Sequence, residues 1–291
     1  MILTLAVGAA ALLTPIQQDT TVPVPAGTRL ELDSHAGDIV VRTWKRNAIQ
    51  VSADLTDRDR IAVEINGGVA TIKRVSRRTV HLSTDYRLTV PIWMDLELSS
   101  VNGDITVENS EGRVSANSVE GNVTVRGGRE FVSVHSVEGE VLVGGVRGRL
   151  EVNSVDGGIM INDVDGAIFA ESVDGDITME DVTSADVEAN TVDGNISYRG
   201  TVTRQGRYRL GSHDGDIVLE VPEMSAEISA STFEGELETC GFPAVTRPAE
   251  DRNNRRLRFT IGGGGARIDL ETFDGNIYVV KTGCRPTGMQ P

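Results

Sequence analysis

One six-residue motif limits what this chain can fold into. It reads Ser34-His-Ala-Gly-Asp-Ile, Ser100-Val-Asn-Gly-Asp-Ile, Ser118-Val-Glu-Gly-Asn-Val, Ser136-Val-Glu-Gly-Glu-Val and Ser154-Val-Asp-Gly-Gly-Ile. It returns as Ser172-Val-Asp-Gly-Asp-Ile, Thr191-Val-Asp-Gly-Asn-Ile, Ser212-His-Asp-Gly-Asp-Ile, Thr232-Phe-Glu-Gly-Glu-Leu and Thr272-Phe-Asp-Gly-Asn-Ile. The motif glycines are Gly37, Gly103, Gly121, Gly139, Gly157, Gly175, Gly194, Gly215, Gly235 and Gly275. From Gly103 onward they stand 18, 18, 18, 18, 19, 21, 20 and 40 residues apart, the last read as two periods. A fixed period of this length is the mark of a stacked-repeat architecture.

Around each motif the residues alternate. Leu150, Val152 and Ser154 share one face, Glu151 and Asn153 the other, and Ile159 and Ile161 point inward after the turn. Period-two alternation of β-branched residues reads as strand. Each unit is therefore strand, tight corner, strand, looser corner. Asp/Glu-Gly at the tight corner supplies positive φ without a Cβ clash. One unit cannot bury its inner face alone, so units stack into an all-β solenoid with parallel ladders. Coils of about 18–20 residues rising about 4.8 Å each make ten coils into a rod of about 45 Å.

The Ser/Thr column, including Ser118, Ser136, Ser154 and Ser172, falls at the last inward position before the corner. Hydroxyls buried there can satisfy corner backbone groups or one another. A residue repeated ten times is structural; a nucleophile would be singular, with a base beside it.

Two further strings carry a resemblance. Tyr86-Arg-Leu-Thr-Val-Pro91 with Asp95-Leu-Glu-Leu-Ser-Ser-Val-Asn-Gly-Asp-Ile105, and Ile261-Gly-Gly-Gly-Gly-Ala-Arg-Ile-Asp-Leu-Glu-Thr-Phe-Asp-Gly-Asn-Ile277, resemble an adhesin-like bacterial domain-of-unknown-function family. That family is related to the head domain of auto-transporter adhesins. The resemblance spans residues 22–283. It implies a single-stranded parallel β-helix, right-handed, in an exported or envelope-associated setting. It supplies no catalytic residues.

Residues 2–13 are uninterruptedly apolar, with Thr14-Pro15 after them. That length is too short to span a bilayer but suits the core of a secretory signal. We assign residues 1–18 to a signal peptide, with cleavage expected between residues 14 and 20. The expected location is periplasmic or cell-surface, with no transmembrane segment. Residues 19–98 form N-terminal coils and a cap. Strand-like runs at 48–55, 60–66, 69–75 and 86–92 suggest an inserted hairpin turning at Asn66-Gly67-Gly68. Trp44 and Trp93 both lie here, as cap packing or as an exposed carbohydrate platform. Regular repeats fill 99–283, interrupted at 241–265 by an irregular stretch bearing Arg252, Arg255, Arg256 and Arg258; residues 284–291 are a tail. Gly262–Gly265 precede a strand rather than a helix, which excludes a phosphate loop. Cys240 and Cys284 stay open between free thiols and a disulfide, the latter if the excursion brings their coils together.

The formal charge of −15, from 43 acidic and 28 basic residues, excludes a general nucleic-acid binder. Fourteen of the 43 acids flank the motif glycines. Stacked coils place like charges about 5 Å apart, a repulsion of about 0.8 kcal/mol per neighbouring pair in water before screening. Such columns read either as turn chemistry on a solvated edge or as an oxygen-lined track for Ca²⁺. The candidate ligands are Asp156, Asp174, Asp176, Asp193, Asp214 and Asp216. No other metal or cofactor is expected. His35 and His213 replace the motif valine and read as packing variants; with His81 and His135 they make no metal or triad spacing. The acids are too alike from coil to coil for glycoside hydrolysis, which needs two distinct carboxylates. The expectation is a non-catalytic binding module for an envelope polysaccharide or protein. A self-associating scaffold is the alternative, and a polysaccharide-processing enzyme a remote one.

Overall fold

The computed structural model describes residues 16–55, 59–76, 83–242 and 256–286. Most of the signal segment, His81, and residues 243–255 with Arg252 and Arg255 lie outside the described residues. The described chain is all-β, 24 strands in one hydrogen-bonded sheet that winds into a solenoid. The chain bends at each motif glycine, so every coil contributes one strand to each of two ladders.

The strand before the glycine builds the first ladder. Leu96–Asn102 pairs in parallel with Val114–Glu120, which pairs with Arg129–Glu138, which pairs with Arg147–Asp156. Ser100, Ser118, Ser136 and Ser154 thus sit in register. The strand after the glycine builds the second, with Ile105, Val123, Val141, Ile159, Ile177 and Ile196 in register. Inward Leu, Ile, Val and Ala side chains from both ladders close an apolar core. A coil this narrow leaves little room for rings, and Tyr198 and Tyr208 are the bulkiest fully buried residues.

The coils do not all stack in chain order. The Gly37 coil lies directly against the Gly103 coil, Leu30 opposite Leu96 and Ser34 opposite Ser100. Between the ladder strands Ile39–Trp44 and Leu96–Asn102, the described part of the chain forms the N-terminal cap. There Asp59–Asn66 and Val69–Ser76 form an antiparallel hairpin turning at Gly67-Gly68, both with positive φ. Ala48–Leu55 pairs antiparallel with both Ile16–Pro23 and Tyr86–Pro91. Trp44 and Trp93 pack within this cap; their indole N–H groups donate to the Ala48 carbonyl at 2.8 Å and Asn47 Oδ1 at 3.2 Å.

At the other end the final motif coil is interposed. Ala266–Asp274 pairs in parallel with Ile196–Asp214 on one side and Ala226–Glu234 on the other. Ile277–Lys281 likewise lies between Ile217–Val221 and Leu237–Cys240. The Gly275 coil therefore sits between the Gly215 and Gly235 coils. This corrects the reading of the 40-residue interval as two successive periods. Part of that interval, Arg256–Ile261, runs back antiparallel along Ala226–Ser231 and covers the first ladder. Parallel ladders hold through the central coils, whereas the sheet as a whole is mixed, because strands that close an end reverse direction. Cys240, on the outermost coil, is joined by a disulfide to Cys284, just past the interposed one, with Cα atoms 5.8 Å apart.

Candidate interaction surface

The motif corner is where the repeat concentrates its chemistry. Nine of the ten motif glycines, all but Gly235 on the outermost coil, donate their N–H to the carbonyl one coil on, as in Gly103 to Glu120 at 2.9 Å and Gly121 to Glu138 at 3.0 Å. Neighbouring corner backbones lie so close that a Cβ on Gly121 would stand 2.5 Å from the Gly103 carbonyl oxygen. The hydroxyl column turns inward. Thr191, Ser212, Thr272 and Thr232 each donate to the motif-glycine carbonyl of the adjoining coil, at 2.8–3.1 Å. Ser100, Ser118, Ser154 and Ser172 are equally buried, but their hydroxyls make no hydrogen bond.

The residue after the glycine forms a side-chain ladder. Asp38 Oδ1 accepts the backbone N–H of Asp104 at 3.0 Å, Asp104 that of Asn122 at 2.7 Å, and Asn122 that of Glu140 at 2.9 Å. Gly158 has no side chain to continue it. The ladder resumes from Asp176 to Asn195, Asp216, Asn276 and Glu236, at 2.7–3.0 Å. Asp and Asn fit because a short side chain reaches just one coil rise; both runs finish on a glutamate.

The Ca²⁺ candidates are thereby divided. Asp176 and Asp216 spend an oxygen on this ladder. Asp156, Asp174, Asp193 and Asp214 lie one column over, in a rail of exposed carboxylates before the glycine. In stacking order that rail is Glu120, Glu138, Asp156, Asp174, Asp193, Asp214, Asp274 and Glu234. Among the described residues no three His, Cys, Asp or Glu side chains converge in an arrangement that could hold a metal ion.

Beside the rail runs a column that the sequence analysis did not single out. The motif valine and its replacements point outward, and His35 and His213, read there as packing variants, are exposed. Val101, Val119, Val137, Val155, Val173, Val192, Phe273 and Phe233 are each 42–52% exposed. At the C-terminal end the column becomes a ring stack. His213 and Phe273 lie 5.0 Å apart at 15°, and Phe273 and Phe233 4.8 Å apart at 7°. A shallow cavity of about 450 Å³ opens beside these rings, with Glu271 on its wall. The signal for this ridge was present: if Ser118 faces in, strict alternation sends Val119 out.

Charge elsewhere on the rod is paired across coils. Arg42 meets Glu108 at 3.1 Å, Arg199 meets both Glu180 at 2.8 Å and Glu220 at 3.3 Å, and Arg147 meets Asp163 at 3.0 Å. None of the eight rail acids has a basic partner among the described residues. His135, on the same outer face, bonds Ser133 at 3.1 Å and Asn153 at 3.3 Å.

Stacked coils carrying an outward apolar ridge and an unpaired acidic rail define an all-β solenoid with a long ladder surface. The chain belongs to the Toastrack DUF4097 family, whose profile matches residues 27–280. This is the adhesin-like group that its motifs resemble. Solved structures similar to it include a protein from Clostridium sporogenes provisionally described as a cell adhesion protein, 11% identical, covering 91% of this chain and 99% of its own, with a TM-score of 0.23. Another, from Parabacteroides distasonis, is provisionally described as lipid binding: 12% identity, 90% and 96% coverage, TM-score 0.47. A third, from Bacteroides fragilis, is provisionally described as an adhesin: 10% identity, 91% and 98% coverage, TM-score 0.31. No curated protein matches the chain.

Proposed function

We propose that the protein is a non-catalytic, exported, adhesin-like solenoid that binds a component of the cell envelope. The observation that carries this reading is the continuous outward column from Val101 to Phe233, repeated once per coil and bordered by unpaired carboxylates. A surface repeated along a rod suits an extended partner, since each coil adds the same small contact. The near-equivalence of the rail acids supports a binding role over hydrolysis, which needs carboxylates in two different environments. The Cys240–Cys284 pair supports export, because disulfides persist in oxidising compartments. Among the described residues no helix is long and apolar enough to cross a membrane. Antiparallel strands at three of the four ladder ends favour a single rod over end-to-end stacking.

The test is retention of the purified protein on whole cells, peptidoglycan and separated envelope fractions. Saturable retention on one of these is expected. No retention on any of them, or concentration-dependent filaments in their place, overturns the proposal.

A further inference from the structure

We infer that the ridge and rail together form a docking track for a basic amphipathic helix lying along the rod. This rests on the binding-module reading and narrows its partner to a polypeptide of stated chemistry. Eight apolar side chains, each about half exposed, make a stripe on the order of 500 Å², at the upper end for a monomer's largest apolar patch. An exposed stripe of that size asks for a cover.

Charge selects the cover. Every coil from Gly121 to Gly235 carries a rail carboxylate one residue from the ridge, and none of these acids has a basic partner among the described residues. A second copy laid ridge to ridge brings two acidic rails together, and an anionic lipid surface meets the same repulsion. A sugar stacks on exposed ring faces, but the faces of Phe273 are covered by His213 and Phe233. A Lys or Arg side chain fits both columns at once. Its methylene stem lies on Val or Phe while its charge reaches the neighbouring carboxylate.

Spacing selects the helix. The coil rise of about 4.8 Å is close to the 5.4 Å helical pitch, whereas an extended strand repeats every ~6.6 Å on one face. The six valines from Val101 to Val192 span five rises, about 24 Å, the length of a helix of about 16 residues.

The experiment titrates the whole protein with a synthetic 18-residue Leu/Lys amphipathic peptide near physiological salt. Controls are a Ser/Lys peptide of equal charge and a Leu/Glu peptide. The key variant is Val137→Thr/Val155→Thr/Val173→Thr, which leaves net charge, shape and β-branching unchanged. Expected are saturable binding of Leu/Lys alone and at least a tenfold loss in the triple variant. Asp156→Asn/Asp174→Asn/Asp193→Asn should weaken binding and flatten its salt dependence. Equal binding of Ser/Lys and Leu/Lys, or unchanged affinity in the valine variant, overturns the track. So does capture by anionic vesicles, or ridge-dependent dimerisation, in place of peptide binding. Envelope retention that survives the valine substitutions overturns this inference alone and leaves the binding module standing.

Discussion

A methyl group on Gly121 would have nowhere to go. The residue sits at φ +136°, with the Gly103 carbonyl oxygen 2.5 Å from where a Cβ would stand. That obstacle is backbone, so it cannot rotate aside. Gly121→Ala should cost about 3 kcal/mol or more in urea unfolding. Gly27→Ala, at φ +82° with nothing within 4 Å, should cost about 1 kcal/mol, the conformational part alone. The hydroxyl column gives a second contrast. Ser212→Ala removes a 2.8 Å bond to the Gly194 carbonyl and should cost about 1 kcal/mol. Ser118→Ala removes an unpaired buried hydroxyl and should be neutral or slightly stabilising. The inward placement of these residues was legible from alternation. Which of them find a partner was not, because that depends on how neighbouring corners settle against each other. A second column escaped the reading altogether. Asn109, Gly127, Gly145, Asp163 and Asp181 all have positive φ at the looser corner. Their 18-residue spacing and shared tolerance of left-handed backbone were visible, but the types differ and hide the register.

Strands show where repetition stops determining structure. The central pairings follow directly from the period, because identical inner faces fit in only one register without turning apolar residues outward. The ends follow no period. Asn66-Gly67-Gly68 announced its hairpin by turn chemistry, whereas the return strand Arg256–Ile261 carries no such local signal. Nor does spacing alone show that the last motif coil is interposed. The disulfide holds that arrangement across 44 residues of sequence. Loop-closure entropy for such a span is about 4 kcal/mol, so reduction, or Cys240→Ser/Cys284→Ser, should lower stability by up to that amount. Equal unfolding midpoints with and without reductant would contradict it. For the acidic corners the Asp/Asn ladder accounts for half of the pattern without a metal. Melting temperatures in chelator and in millimolar Ca²⁺ should therefore coincide; a clear rise with Ca²⁺ would restore the cation track.

At the scale of the molecule, charge is sorted by position. Several basic residues pair across coils over the flat faces, and acids without a basic partner line one edge. Composition revealed the excess and the motif revealed the corner. The ridge beside it depended on the inside–outside sense of a single valine. Alkaline pH probes the core. Burial raises the pKa of Tyr198, reinforced by Tyr208 beside it, and burial likewise raises that of Tyr86. The folded state therefore holds these phenolic protons more tightly than the unfolded chain does. Stability contributed this way is intact below the ordinary tyrosine value of about 10 and declines as pH rises above it. Denaturant titrations at pH 9 and pH 11 should show that decline, and Tyr198→Phe should lessen it. The interposed coil also bears on the order of synthesis. A ribosome delivers the Gly235 coil before the Gly275 coil that must lie beneath it. Until residues 266–281 emerge, the earlier coil either stands apart or pairs prematurely with the Gly215 coil, whose corner it matches in register. The likeness among repeats that makes the rod easy to extend thus leaves one seat beside the Gly215 coil that fits both the early coil and the late one.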